Sequence, residues 1–103
     1  MQTQLVVTGR VQGVGYRDWA VATARKLGLA GWVRNLPDGT VGLLIEGPHD
    51  TCEAMIVQCH TGSESAKVDH INRVFTRPPP DPNDPKVAPS EIAPKPFQRL
   101  HRH

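Results

Sequence analysis

Between residues 9 and 17 the chain reads Gly9-Arg10-Val11-Gln12-Gly13-Val14-Gly15-Tyr16-Arg17, and these residue types suit one kind of chemistry. Gly13 and Gly15 let successive backbone N–H groups turn toward a single point, and a helix opening just beyond adds its partial positive charge. Arg17 brings a planar fork able to hold two oxygens of a phosphate or carboxylate together. The segment is a candidate cradle for an oxyanion. It is not a nucleotide motif: the P-loop lysine is missing, and Asp18 stands where a third Rossmann glycine would follow Gly13 and Gly15. A glycine-rich turn beside a surface arginine has the same composition, and the segment alone leaves both readings open.

The flanking elements must present this loop, and their patterns are legible. Residues 4–8 form a short β-branched strand leading into it. Over 16–27 the pattern turns helical, with Ala20, Ala24 and Leu27 on one face and Val21 beside them. Asp18 falls in the first turn, where the helix dipole favours a carboxylate. Gly28 is placed to cap this helix in the left-handed region, with Leu29 as the accompanying apolar contact. Strands over 30–36 and 40–47 flank Pro37-Asp38-Gly39, a strong hairpin signal. Asp50 and Glu53 have the spacing of a capping box, and Cys52, Met55, Ile56 and Cys59 follow at i, i+3, i+4 and i+7. A fourth strand covers 68–76. The order βαββαβ predicts an α+β, ferredoxin-like sandwich, an antiparallel sheet with two helices on one face. Fold alone carries no function.

At 103 residues the chain supports one modest core, which excludes a multidomain enzyme and a (β/α)₈ barrel of ~250 residues. Eight of the 10 prolines lie beyond Arg77. The expected division is therefore a folded body over 1–77 and a proline-rich extension over 78–103, ending in a short edge strand at 97–101. Loss of that edge strand should matter more than shortening the link within 80–94. The net charge of +2 is too small for a dedicated phosphate-backbone binder. No apolar run approaches the ~20 residues that span a bilayer, and the first residues enter a strand pattern at once, so a cytoplasmic protein is expected. Cys52 and Cys59, two helical turns apart, are too distant for a disulfide and read as core residues. His49, His60 and His70 are scattered without metal-ligand spacing, so no metal and no cofactor are expected. Arg10 and Arg34 read as solvated strand-end charges, and Trp19 and Trp32 as packing residues.

Gly31-Trp32-Val33-Arg34-Asn35-Leu36-Pro37-Asp38-Gly39-Thr40-Val41 adds a second block. Together with the loop it resembles the acylphosphatase family, whose pattern is G-R-V-Q-G-V-G-[FY]-R followed, after one helix, by G-W-V-R-N and a D-G turn. The resemblance spans roughly residues 4–77. Gly62-Ser63-Glu64-Ser65 departs from the family's glycine-proline turn, and the proline-rich stretch is longer than usual.

The resemblance implies hydrolysis of the carboxyl-phosphate bond of acyl phosphates, with Arg17 and Asn35 as the catalytic residues. Such a substrate needs no general acid, because its leaving group is already a stable carboxylate. The protein must gather negative charge and place a water in line. The N–H groups of Gln12, Gly13, Val14, Gly15, Tyr16 and Arg17 with the Arg17 guanidinium would hold the phosphate, and the Asn35 carboxamide would hold the water. The partners implied are a small acyl phosphate and inorganic phosphate, as product and inhibitor; no nucleic acid, no membrane and a monomeric state are expected. One alternative is a binding module that holds carboxyl or carbamoyl phosphates without turnover, as such domains do at the start of larger carbamoyl-transfer proteins. Another is a single-stranded RNA binder, which would need stacking aromatics on the sheet. Only five aromatics are present, none in the required signature.

Overall fold

Side-chain alternation divides the sheet into two faces that meet different partners. A computed structural model describes residues 1–101. In chain order these form β1 (Gln2–Arg10), α1 (Tyr16–Lys26), β2 (Ala30–Asn35), β3 (Val41–Glu46), α2 (His49–Cys59), β4 (Lys67–Arg77), a 3-10 turn (Pro89–Glu91) and β5 (Gln98–Arg99). The expected order is present, and the strands stand β4-β1-β3-β2-β5 across the sheet. Leu5, Val7, Val33, Leu43 and Ile45 face the helices and meet Ala20, Ala24, Cys52, Met55, Ile56 and Cys59 in one buried cluster. The fold is the ferredoxin-like α+β sandwich.

Local chemistry sets most boundaries. Gly28 takes φ +73°; Leu29 N–H donates to the Ala24 carbonyl at 2.9 Å and Gly28 N–H to that of Arg25 at 3.0 Å, the paired bonds of a Schellman ending. The hairpin closes through Gly39 at φ +90°, with Leu36 N–H bonded to the Thr40 carbonyl at 2.9 Å. The capping box expected at Asp50 and Glu53 is not formed. Helix α2 begins at His49 after an extended Pro48, with no side-chain cap. Asp50 is already inside the first turn, and Glu53 instead meets Arg73 of β4 through two hydrogen bonds of 2.8 Å.

The extension ends in a short edge strand, β5, and before it packs more closely than a mere link would. Chain leaving β4 at the sheet's edge crosses the face opposite the helices. There the Glu91 carbonyl accepts from Gln2 Nε2 at 2.7 Å, the Ser90 carbonyl from Trp32 Nε1 at 3.0 Å, and the Pro94 carbonyl from Gly31 N–H at 2.8 Å. Trp32 and its cross-strand neighbour Leu44 are therefore buried although they point away from the helices. Because the extension arrives beside the start of β2, β5 runs in the same direction, and among the described residues this pair alone is parallel. Phe97, just before it, is fully buried in the core shared with the helices.

Candidate active site

Gly13 and Gly15 have φ of +72° and +78°, and no described non-glycine residue has a positive φ. The backbone therefore alternates in hand across Gly13, Val14, Gly15 and Tyr16. That alternation turns successive N–H groups to the same side and forms a nest, a concavity of the kind suited to an anion. Gly15 flanks α1 without any side-chain cap, so first-turn N–H groups remain free for an external acceptor.

Each of the other loop residues is tied by its side chain elsewhere. Gln12 Nε2 donates to the Leu36 and Thr40 carbonyls, both at 2.8 Å, which pins the start of the loop to the hairpin mouth. Val14 packs at the edge of the core. Tyr16 is buried, and its hydroxyl donates to the Cys59 carbonyl at 2.8 Å. Burial raises its pKa far above the usual phenol range, and the neighbouring Cys59 adds to that. The phenol stays protonated. For Gln12, Val14 and Tyr16, only the backbone N–H is available to a ligand.

Arg17 is the second residue of α1, half-buried, and its Nη1 donates to the Leu100 carbonyl at 3.2 Å. Leu100 N–H donates in turn to the Val33 carbonyl at 2.8 Å, so the end of β5 links α1 to β2. Asn35 closes β2, and its Oδ1 is buried and accepts from no described group. The register aligns Val7, Val41 and Asn35 across the sheet. The loop after β1, the first turn of α1 and Asn35 thus lie at the same end of the molecule.

Neighbouring polar residues are engaged differently. Arg34, expected to be solvated, is half-buried over the Trp32 ring at 4.5 Å, with its Nε buried and unpartnered among described residues. Alternation puts it on the face opposite Asn35. Arg10 is exposed. Asp18 pairs with Arg99 at 2.9 Å. Asp38 accepts from the hydroxyl and N–H of Thr40, which hold its carboxyl below the usual range. Cys52 and Cys59 are free and buried, and burial pushes the Cys59 thiol up to about 12, too high for a nucleophile at neutral pH. Among the described residues no three His, Cys, Asp or Glu side chains group as a metal site.

Two contacts here have no local sequence signal: the Leu100 carbonyl on Arg17, and Ser63 Oγ donating to the Val14 carbonyl at 2.9 Å. Both join segments far apart in the chain. A cleft of about 400 Å³ lined by Trp32, Pro89, Ser90, Ile92, Pro94 and Leu100 lies under the extension, on the other face of the sheet.

Known proteins resemble this chain over most of its length. The family model for acylphosphatases matches residues 3–84. An acylphosphatase of Rhodospirillum rubrum is 51% identical over 83 residues, covering 80% of this chain and 91% of the relative. One from Acidiphilium cryptum is 46% identical over 84 residues, covering 82% and 92%. The crystal structure of acylphosphatase from Bacillus subtilis superposes with a TM-score of 0.76 at 31% identity, over 96% of this chain and 97% of that one. With its nest, arginine and asparagine in the loop and strand where the two sequence blocks placed them, this chain belongs to the acylphosphatase family.

Proposed function

We propose that the chain hydrolyses acyl phosphates to a carboxylate and inorganic phosphate. The observation that carries the reading is the grouping of the Gly13–Gly15 nest, Arg17 and Asn35 at one end of the sheet.

The phosphoryl oxygens sit against the N–H groups of residues 12–17 and the Arg17 guanidinium, whose fork retains donors beyond the one given to Leu100. The Asn35 carboxamide holds the attacking water and so orients its lone pair toward phosphorus. The new P–O bond forms as the bond to the acyl oxygen breaks. The carboxylate leaves as an anion, and the water's proton passes to a phosphate oxygen. No side chain acts as general acid in this scheme. The reading also takes the enzyme to work as a monomer in the cytoplasm. In support, the only large apolar side chains exposed among described residues are Val57 and Val74, both cysteines are free thiols, and no described helix is long and apolar enough to cross a membrane.

Benzoyl phosphate is the direct test. Hydrolysis should proceed unchanged in EDTA, with inorganic phosphate inhibiting competitively. Phosphate binding without turnover would make the protein a binding module, and activity restored only by a divalent ion would overturn the metal-free scheme.

A further inference from the structure

Ser63 lies in the connector between α2 and β4, 49 residues along the chain from the loop residue it touches. Its backbone is well fixed: Gly62 N–H donates to the Gln58 carbonyl at 3.0 Å, and Ala66 N–H to the Ser63 carbonyl at 3.0 Å. The Tyr16 ring packs where a side chain on Gly62 would stand. From this platform Ser63 Oγ donates to the Val14 carbonyl at 2.9 Å.

We propose that Ser63 is a positioning residue for the oxyanion nest, aiming the Gly15 N–H at the phosphate through the Val14 carbonyl. The proposal rests on the reading of this loop as the phosphate site. The Val14–Gly15 peptide is planar and trans, so its carbonyl and its N–H point in opposite directions. Anchoring the oxygen to the connector therefore directs the N–H to the other side, into the nest. Without the anchor this peptide is free to reverse. Gly15 is exposed, with nothing within 4 Å of where a Cβ would lie, and glycine accepts either sign of φ. A reversed peptide presents a carbonyl oxygen to the anion where a donor is needed. The hydroxyl also polarises the peptide it bonds, which strengthens the N–H as a donor.

Because the N–H holds phosphoryl oxygens in substrate, transition state and product alike, its loss should weaken binding uniformly. For Ser63→Ala the expectation is a rise of roughly three- to tenfold in both the phosphate Kd and the KM for benzoyl phosphate, the worth of one hydrogen bond. The kcat should stay within about twofold. Ser63→Thr, which keeps the hydroxyl, should restore the affinity. Calorimetric titration with inorganic phosphate, steady-state kinetics and a thermal melt of each full-length variant read these quantities separately. A lower melting temperature with unchanged Kd and KM would make the bond a structural tie and overturn the proposal. So would a threonine variant as weak as the alanine one. If the wild-type protein binds phosphate in a Ser63-dependent way yet hydrolyses nothing, the positioning role stands and the proposed activity falls. If the wild type hydrolyses benzoyl phosphate and Ser63→Ala is unaffected, the activity stands and the positioning role falls.

Discussion

In the proposed displacement Arg17 and Asn35 have different tasks, and substitution separates them. In that scheme the arginine meets phosphoryl oxygens before and during reaction, while it also donates one N–H to the Leu100 carbonyl. Arg17→Lys keeps the charge but loses the planar fork. Its expected outcome is a higher KM, a higher phosphate inhibition constant and a large fall in kcat. The same scheme assigns the water to Asn35, so Asn35→Ala should lower kcat by ~10²–10³ with KM and phosphate inhibition nearly unchanged. If both variants raise the inhibition constant alike, the asparagine binds phosphate instead. Both residues were legible as parts of sequence motifs, because each stands in a short block of fixed spacing. The state of the Asn35 oxygen was not: its burial depends on the packing around the end of β2.

The elements around the site show where local signals prevail and where they yield. Gly28 ends α1 as its type dictates, since the left-handed region costs other residues ~1–2 kcal/mol. Asp50 and Glu53 do not cap α2, because Pro48 sets the start of the helix and Arg73 claims the glutamate. The hydrogen bonds from Arg73 lower the Glu53 pKa below its usual 4.5. Stability from this pair is therefore present above that value and lost as pH falls through the depressed folded pKa. Glu53→Gln should cost under ~1 kcal/mol at neutral pH, as partly exposed pairs do. Thermal melts across pH should show the gap closing below 4.5. The extension gives a larger effect. Phe97→Ala removes a fully buried ring and should cost ~3–5 kcal/mol. Deleting residues 83–86, which are exposed and bonded only within their own turn, should change the melting temperature little. The stretch from Ser90 to Pro94 is not equally dispensable, although its composition marks all of 80–94 as a link, because its carbonyls bond Trp32, Gln2 and Gly31.

For the whole molecule, a ligand bound only by the folded nest must stabilise the fold. Inorganic phosphate at about 100 times its Kd should add ~2.7 kcal/mol to unfolding and raise the melting temperature. Arg17→Lys should blunt that rise, and an equal rise in both proteins would place phosphate elsewhere. What the sequence determined unaided was whatever acts within a few residues: strand alternation, the helical stripes, the glycines that accept positive φ, the Asp-Gly turn and hence the βαββαβ order. Those signals also located the loop and the asparagine strand. The tertiary structure alone decided that the extension crosses the open face, that β5 runs parallel to β2, that Phe97 joins the core and that Arg34 stacks on Trp32. It also brought Ser63 to Val14 and Leu100 to Arg17 across 49 and 83 residues. The reason is physical: steric and periodic preferences are properties of a short segment, whereas a contact between distant segments exists only once packing has set the distance between them.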